Sequence, residues 1–253
     1  MKILHHRESG NPETDAAMPK LVKNMNTIRY KFASRFALKN QVLDLGCGFG
    51  YGSYLLSASA KTVTGIDANP LAIAQAKLRY RHIGLEFVTS DALDFLRRTH
   101  RRFDLITAFE ILEHLKRQRE FVNLVADRIR VGGVFVVSTP NRKFTNFYRK
   151  NPFHVHEFEY DELKELLVDD GKFTLEHSYG QVPGTLIRVP IPFYALFGII
   201  QLMPGSNGFV ELNEQPDKSR TILVLARRTS SRDERIANGK SIRLDTITTP
   251  QIR

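Results

Sequence analysis

The chain has 253 residues and a mass of 28.9 kDa, which suits one large domain or one domain with appended segments. Its single cysteine, Cys47, excludes an internal disulfide and suits a reducing compartment, so we expect a cytoplasmic protein. The residues before Asp15 contain no continuous apolar stretch, so no secretory signal is predicted. The formal net charge of +10 indicates either an acidic partner or a solvated basic face, and the second is the ordinary explanation.

Apolar spacing and turn residues predict that helices and strands alternate along the chain. A helix from Met18 to Leu38 comes first. The strands that follow are QVLDL, TVTGI, LEFVTS, FDLITAF and GGVFVVST, and the helices between them lie at Tyr51–Ser59, Pro70–His82, Ala92–Arg98 and Gln118–Ile129. Strands alternating with helices at this pitch predict right-handed crossovers and a parallel sheet covered on both faces.

The last third of the chain has a different character. It predicts a helix at Asp161–Val168, a strand FTLEHSYG and a final strand RTILVLAR. Between the two strands lies an apolar segment, 182–205, which is interrupted by prolines and too short between them to span a membrane. We therefore divide the chain into a loose N-terminal segment 1–17, a domain 18–228 with 182–205 as a lid or acceptor insertion, and a tail 229–253 without stable structure.

The stretch VLDLGCGFGYG raises the question of which ligand needs so tight a turn. Glycines at 46, 48 and 50 follow a strand and precede a helix, which brings backbone N–H groups and a helix N-terminus against a ligand. The pattern does not match the G-x-G-x-x-G of dinucleotide sites, because Tyr51 stands where the third glycine is required. Asp44 lies just before the turn, where it would repel a pyrophosphate but attract an amino group and a sulfonium.

Two further acids end the next two predicted strands. Asp67 lies at the distance from the first glycine at which an acid accepts both ribose hydroxyls. Asp91 can accept from an adenine amine, while Ala92 offers a backbone N–H. An aspartate at a strand end is commonly just a helix cap, so each acid alone is a weak indication. Together the three acids predict a site for a nucleoside without phosphates.

On these residues, the stretch Arg29–Gln181 resembles the class I S-adenosylmethionine-dependent methyltransferases, and among them the ubiquinone-biosynthesis O-methyltransferases and related small-molecule enzymes. The matching segments are VLDLGCGFG, VTGID, SDA, FDLITAFEILEHL, RVGGVFVVSTPN and NPFHVHEF. The resemblance implies a Rossmann-like, doubly wound α/β sheet of seven strands, mostly parallel, whose last strand RTILVLAR runs antiparallel. It also implies S-adenosyl-L-methionine as cofactor. The predicted cofactor-binding residues are Arg29, Asp44, Gly46, Cys47, Gly48, Asp67, Ala68, Asp91, Ala92, Phe109 and Glu110.

Histidines after the fourth and fifth strands are the catalytic candidates. In FEILEHL, His114 would share a helix face with Glu110 if that turn is helical, and its alternative role is packing or capping. In NPFHVHEF, an extended backbone would point His154 and His156 the same way, as a substrate-side base or as residues that hold a loop. No third ligand appears at a clear spacing, so no metal is predicted.

The function predicted is methyl transfer to an oxygen of a small molecule, sugar or lipid-linked precursor. If the acceptor is amphipathic, segment 182–205 would contact its tail or a membrane surface. One alternative is an RNA (tRNA) methyltransferase, favoured by the charge but ranked second because no RNA-binding module or aromatic-basic stripe is visible. Another is a non-catalytic cofactor-binding scaffold. The sequence predicts no oligomeric state.

Overall fold

The computed structural model describes residues 20–145, 151–183 and 212–230. These residues form one eight-stranded sheet in the order β3-β2-β1-β4-β5-β8-β6-β7. The strands are β1 (Gln41–Leu45), β2 (Thr62–Asp67), β3 (Leu85–Thr89), β4 (Phe103–Phe109), β5 (Ile129–Pro140), β6 (Phe173–Pro183), β7 (Leu212–Asn213) and β8 (Ser219–Arg228). All the strands predicted from the sequence are present.

The direction of the strands confirms the predicted fold class. Strands β1 to β5 pair in parallel, and β8 runs antiparallel between β5 and β6. The predicted count of seven strands differs from the structure, because Leu212 and Asn213 add a two-residue edge strand on Gln181 and Gly180 of β6. So short a strand has no hydrophobic alternation of its own, which is why the sequence did not reveal it.

Helices cover both faces of the sheet. They are α1 (Lys20–Ser34), α2 (Tyr51–Ser57), α3 (Pro70–Arg79), α4 (Ala92–Arg98), α5 (Gln118–Arg128), α6 (Arg142–Thr145) and α7 (Tyr160–Val168), with short 3-10 helices at Leu112–His114 and Pro216–Lys218. Helices α1, α2 and α3 pack on one face, and α4, α5 and α7 pack on the other. Among the described residues, none of these helices combines the length and apolar character that a membrane crossing requires.

Helix ends follow the capping residues in the sequence. Asn69 caps α3 by accepting from the N–H groups of Leu71 and Ala72, and Pro70 occupies the first turn, as predicted. Helix α1 ends at Ser34 rather than at Leu38, and the turn after it brings the N–H of Lys39 to the carbonyl of Ser59. That hydrogen bond satisfies a backbone donor outside the helix.

The predicted domain limits lie close to, or outside, the described residues. Strand β6 runs to Pro183, so the segment 182–205 begins inside the sheet, and its remainder lies outside the described residues. Thr229, the first residue of the predicted tail, donates its N–H to the carbonyl of Lys172 at 2.8 Å, and the tail from 231 onward lies outside the described residues. Segment 1–17 lies outside the described residues.

Helices α1 and α2 pack closely at a glycine. A Cβ on Gly52 would lie 1.9 Å from Cζ of the Tyr30 ring, so no larger residue fits there without moving that ring. Tyr30 is 8% exposed and packs edge-on against Phe109, with ring centroids 4.9 Å apart. Because Tyr30 also bonds to Asp44, this contact couples the position of α1 to the site at the strand ends.

We expect Gly52→Ala to lower the free energy of unfolding by about 3 kcal/mol, because the methyl group overpacks the Tyr30 ring. Gly171→Ala is the control: a Cβ there meets nothing within 4 Å, and only its φ of +62° resists the change, at a cost of roughly 1–2 kcal/mol. Urea denaturation followed by circular dichroism measures both. If both variants lose the same free energy of unfolding, the contact with Tyr30 does not limit the size of the side chain at residue 52.

Candidate functional site

The ends of β1, β2 and β3 and a glycine turn meet at one edge of the sheet. In the parallel register Leu45 pairs with Ile66, and Asp67 pairs with Thr89, so the residues that follow these strands share that edge. The turn adopts a left-handed backbone at Gly46, Gly48 and Gly50, with φ of 72°, 52° and 81°. Side chains rarely adopt these angles, which explains the spacing of the glycines.

Asp44 lies behind this turn. Its carboxylate is fully buried and accepts hydrogen bonds from the hydroxyls of Ser53 at 2.6 Å, Thr107 at 2.7 Å and Tyr30 at 3.2 Å. Burial raises the pKa of Asp44 from 3.8 to about 6, although the three hydroxyls act in the opposite direction. The sequence predicted a direct ligand contact, but the structure places the carboxylate under the turn, where its neighbours are protein hydroxyls.

Asp67 connects the glycine turn to the start of α3. Its Oδ2 accepts from the N–H of Gly48 and its Oδ1 accepts from the N–H of Asn69, both at 2.8 Å. Burial raises the pKa of Asp67. A carboxylate oxygen has two lone pairs, so each oxygen retains one acceptor position beyond its backbone bond. Ala68, next to it, is exposed.

Asp91 caps helix α4. Its Oδ1 accepts from the N–H groups of Leu93 at 2.8 Å and Asp94 at 3.1 Å, so the capping role weighed from the sequence is present. The side chain is exposed, and its other oxygen receives neither of these bonds. Ala92 is buried at the first turn of α4. Asp91 can therefore cap the helix and still offer an acceptor to a ligand.

Arg29 reaches the site from α1. The side chain is buried, and its Nη1 donates to Oε1 of Glu110 at 2.5 Å and to Oγ of Ser138 at 2.7 Å. Its Nη2 donates to Asn26 at 2.9 Å. Glu110 directly follows β4 and has a φ of 53°, a backbone conformation that non-glycine residues adopt at a cost. The ion pair between Arg29 and Glu110 stabilises this strained backbone. Phe109, the residue before Glu110, packs against Tyr30.

Cys47 packs inside the glycine turn rather than facing solvent. It is 6% exposed and belongs to a small apolar cluster with Ile73, Ala76 and Phe87. Burial raises the pKa of its thiol well above the usual value, so the thiol stays protonated at neutral pH. Its N–H donates to the carbonyl of Ile66 at 2.9 Å, which gives Cys47 a structural role in the turn.

A second cluster of polar side chains lies beyond the end of β4. Ligand-capable atoms of Glu113, His114 and His154 all lie within 4.8 Å of one another. The rings of His114 and His154 pack edge-on with centroids 4.8 Å apart. The residues after β4 form a 3-10 helix, Leu112–His114, so the α-helical turn that would have aligned Glu110 with His114 does not form.

The predicted common direction of His154 and His156 is wrong. His154 turns inward, where Nδ1 bonds to Glu157 and Nε2 bonds to Asn151. His156 is more exposed and packs edge-on against Phe158. The segment is not extended: the N–H of His154 bonds back to the carbonyl of Asn151, and the N–H groups of Val155 and His156 both donate to the carbonyl of Glu113.

Hydrogen bonding determines the tautomer of His114. Its Nδ1 lies 3.1 Å from the carbonyl oxygen of Phe153, and a carbonyl can only accept. Nδ1 must therefore carry a proton, and in the neutral ring Nε2 presents the lone pair. His114 is thus in the form that can accept a proton at Nε2.

Glu113, which comes from the same FEILEHL segment as His114, is the most buried member of this cluster. It is 1% exposed, its Oε2 accepts from Thr139 at 3.1 Å, and its Oε1 has no hydrogen-bond partner among the described residues. Burial, and then the nearby charge of Glu110, raise the pKa of Glu113 well above its usual value. A buried polar atom without a partner is uncommon in proteins. Glu113, His114 and His154 together offer three atoms that could ligate a metal ion.

The structure reveals hydrogen-bond partners that the sequence could not predict. Tyr30, Ser53 and Thr107 come from three separate elements, and only their shared partner Asp44 identifies them as a group. Asn141 has a structural role: its side chain donates to the carbonyls of Pro216 and Ser219. A buried hydroxyl in a β-strand has no sequence signature that distinguishes it from an exposed one.

Comparisons with known proteins agree with this geometry. A family model described as a methyltransferase domain matches residues 39–184. A protein of Mycolicibacterium smegmatis named a probable S-adenosylmethionine-dependent methyltransferase is 36% identical over 146 residues, which are 56% of this chain and 55% of that protein. The mitochondrial ubiquinone biosynthesis O-methyltransferase of Schizosaccharomyces pombe is 30% identical over 135 residues, covering 49% of this chain and 48% of that protein. The chain thus spans about half the length of these relatives.

Solved structures show the same fold at low sequence identity. The N-methyltransferase NodS of Bradyrhizobium japonicum, in complex with S-adenosyl-L-homocysteine, has a TM-score of 0.60 at 17% identity, covering 86% of this chain and 91% of that one. The [4+2]-cyclase SpnF has a TM-score of 0.58 at 18% identity and covers 79% of each chain. Because these two neighbours carry the names of different reactions, the shared architecture establishes the fold alone.

The raised pKa of Asp44 predicts a pH dependence of stability. A folded-state pKa of about 6, against 3.8 in the unfolded chain, means that the native protein keeps this proton to higher pH. The resulting stabilisation, about 3 kcal/mol, is present below pH 3.8 and is lost as the pH rises through about 6. The free energy of unfolding of the wild type minus that of Asp44→Asn should fall accordingly across this range in urea titrations.

Thr107→Val provides the comparison variant for this titration. It removes a hydroxyl that favours the ionised carboxylate, so the fall in stability should move to higher pH. If the free energy of unfolding of the wild type minus that of Asp44→Asn rises with pH, the raised pKa does not belong to Asp44.

Proposed function

The chain belongs to the methyltransferase-domain family, and we propose that it transfers the methyl group of S-adenosyl-L-methionine to an oxygen of a small-molecule, sugar or lipid-linked acceptor. The observation that carries the proposal is that Asp44, Asp67 and Asp91 lie at or just after the carboxyl ends of three neighbouring parallel strands, with the glycine turn bonded to Asp67 at the same edge. The names of the relatives support both the cofactor and an oxygen-directed reaction. The acceptor is a proposal by analogy with the second of these relatives.

The proposed cofactor contacts follow from the remaining hydrogen-bonding capacity of each residue. Each oxygen of Asp67 has one acceptor position left for a ribose hydroxyl. The exposed oxygen of Asp91 is available to an adenine amine, and Gly46 and Gly48 let a methionine moiety approach the backbone. Asp44 would act through the turn above it and contribute negative charge near a sulfonium, as a positioning residue.

Arg29 and Glu110 would contribute at the other side of the glycine turn. Arg29 brings a positive charge from α1 to the end of β4, where a cofactor carboxylate could share its guanidinium with Glu110. Phe109, just before Glu110, would pack beside the cofactor. Ala68 and Cys47 would contribute backbone contacts rather than side-chain chemistry.

The chemical step needs alignment and the removal of one proton. When bound, the cofactor would supply an activated methyl group, and the acceptor oxygen would bond to that carbon as the sulfur–carbon bond breaks and the sulfur keeps the electron pair as a neutral thioether. The hydroxyl proton passes to Nε2 of His114, whose Nδ1 proton is held by the carbonyl of Phe153. Glu157, which bonds to Nδ1 of His154 next to the His114 ring, brings a negative charge close to the imidazolium that results.

The buried carboxyl of Glu113 supports a second role for this cluster. Its unpartnered Oε1, with His114 and His154 nearby, offers nitrogen and oxygen ligands within 4.8 Å. Such a set can hold a divalent cation that lowers the pKa of a bound acceptor hydroxyl. In that case chelation would abolish methyl transfer, and Mn²⁺ binding measured by electron paramagnetic resonance would be lost in Glu113→Gln.

Other predicted properties stay predictions. The membrane contact assigned to 182–205 falls on residues that, from 184 onward, lie outside the described part of the chain. A nucleic-acid acceptor is the alternative that the net charge of +10 favours, and a non-catalytic cofactor-binding protein is the other. Labelled cofactor incubated with lipid, glycan and RNA fractions distinguishes these possibilities by the fraction that takes up the methyl group.

Asp67→Asn tests the cofactor site. We expect it to weaken the binding of S-adenosyl-L-homocysteine by about 10- to 100-fold, because the amide nitrogen cannot accept from a ribose hydroxyl. The control is Glu86→Gln, the same type of change on β3 but away from the strand end, where Glu86 bonds to Arg101 and Thr64. Calorimetry gives both dissociation constants. Equal affinities in the two variants would remove Asp67 from the site.

His114→Asn tests the proposed base. The asparagine amide can keep the bond to the Phe153 carbonyl but cannot take the proton, so kcat for methyl transfer should fall by about 10²- to 10⁴-fold. The acid limb of the pH–rate profile should disappear with it. His156→Asn, the matched control, should keep wild-type kcat because that ring faces Phe158. An unchanged profile in His114→Asn would exclude proton transfer to this residue.

A further inference from the structure

The face of the sheet covered by α1, α2 and α3 carries no exposed acid within that stretch of chain. Between Lys20 and Gly84 the sequence contains two acids, Asp44 and Asp67, and both are buried at the candidate site. The exposed basic residues of the same stretch, among those described, are Lys31, Arg35, Lys39, Lys61, Lys77, Arg79 and Arg81. The surface of these helices therefore carries mostly positive charge, and an exposed acid that approaches it from outside the stretch is Glu214, whose charge acts with that of Arg35 on Tyr179.

The opposite face differs because its charges are mixed. On the side of α4, α5 and α7, Arg97 pairs with Glu120 at 2.6 Å and Arg119 pairs with Asp169 at 2.8 Å. Glu86 of β3 also pairs with Arg101. The asymmetry of charge is thus a property of one face rather than of the protein as a whole.

Large apolar side chains are exposed on the same basic face. Leu71 is 59% exposed, Leu78 is 70% exposed, and Ile83, just beyond α3, is 94% exposed. With Ala74, which is also exposed, Leu71 and Leu78 form a row along the outer side of α3. The others on this face are Leu38, Tyr51 and Tyr54, and the only exposed large apolar side chains elsewhere among the described residues are Val131 and Val155.

The chemistry of this surface fits a lipid headgroup layer better than a nucleic acid. Leucine and isoleucine side chains gain free energy when they enter the boundary of a bilayer, and they have no ring on which a base can stack. The ring of Tyr54 is already stacked on Tyr80, with centroids 5.0 Å apart. Lysine and arginine around the apolar row would lie at the level of anionic headgroups.

We propose that this face, called the basic-apolar face and formed by the residues named above from Lys31 to Ile83, binds an anionic bilayer surface with α1, α2 and α3 lying along it. Binding is independent of segment 182–205 and of methyl transfer. If the proposed acceptor is lipid-linked, this orientation brings the carboxyl ends of the strands to the rim of the contact, since Tyr51 and Leu71 lie at the starts of α2 and α3. That last point alone rests on the proposed function.

Vesicle flotation of the full chain tests the proposal. Wild type should float with vesicles of phosphatidylcholine and phosphatidylglycerol, should stay behind with phosphatidylcholine alone, and should be released as salt rises. Lys77→Glu with Arg81→Glu should lower the partition coefficient by roughly 25-fold or more, at about fivefold per basic residue removed. Leu78→Ser with Ile83→Ser should weaken binding without changing the net charge of +10.

The matched control is Arg98→Glu with Lys164→Glu, which makes the same change of charge at exposed positions on α4 and α7 of the opposite face. It should keep most of the wild-type flotation.

Equal losses of flotation in the two charge variants, or flotation that none of the variants reduces, would overturn the proposal. So would absence of wild-type flotation. A variant that loses binding to an RNA oligonucleotide but not to vesicles would assign the face to nucleic acid instead. Because flotation needs no cofactor, an inactive protein that floats separates this proposal from the proposed function.

Discussion

The buried carboxylate of Asp44 is the constraint on which the arrangement of the site depends. A charge removed from water needs donors, and here they come from Tyr30 on α1, Ser53 on α2 and Thr107 on β4. Moving any of these elements would leave a buried carboxyl group short of partners. The glycine turn above Asp44 is therefore held by four elements at once, and its N–H groups keep a constant direction.

The site has two halves with different chemistry that meet at Glu110. One half is the row of acids at the ends of β1 to β3, which suits recognition of a nucleoside. The other half is the cluster of Glu113, His114 and His154, which suits proton or cation chemistry. Glu110 pairs with Arg29 on one side, and on the other its charge raises the pKa of Glu113. A change of charge at Glu110 would thus affect both halves.

How far the site could be predicted depended on whether local sequence carries the information. Asp67 and Asp91 follow β-formers directly, and parallel strands bring their carboxyl ends together, so alternation alone places these acids at one edge. The approach of His154 to Glu113 and His114 was not predicted, for the opposite reason. His154 is separated from Glu113 along the chain by α5, β5 and α6, and its inward direction depends on bonds to Asn151 and Glu157. The spacing of residues along the chain does not show which distant residues come close together in the fold.

By itself, the sequence determined the order of strands and helices, the glycine turn and the acids at the strand ends, because these follow from period, capping and backbone freedom within a few residues. Only the tertiary structure decided that Asp44 lies beneath the turn, that Glu113 joins two histidines, that a two-residue strand extends the sheet, and that the basic and exposed apolar residues share a face. These properties depend on which distant residues become neighbours, and that depends on the packing of whole elements against each other.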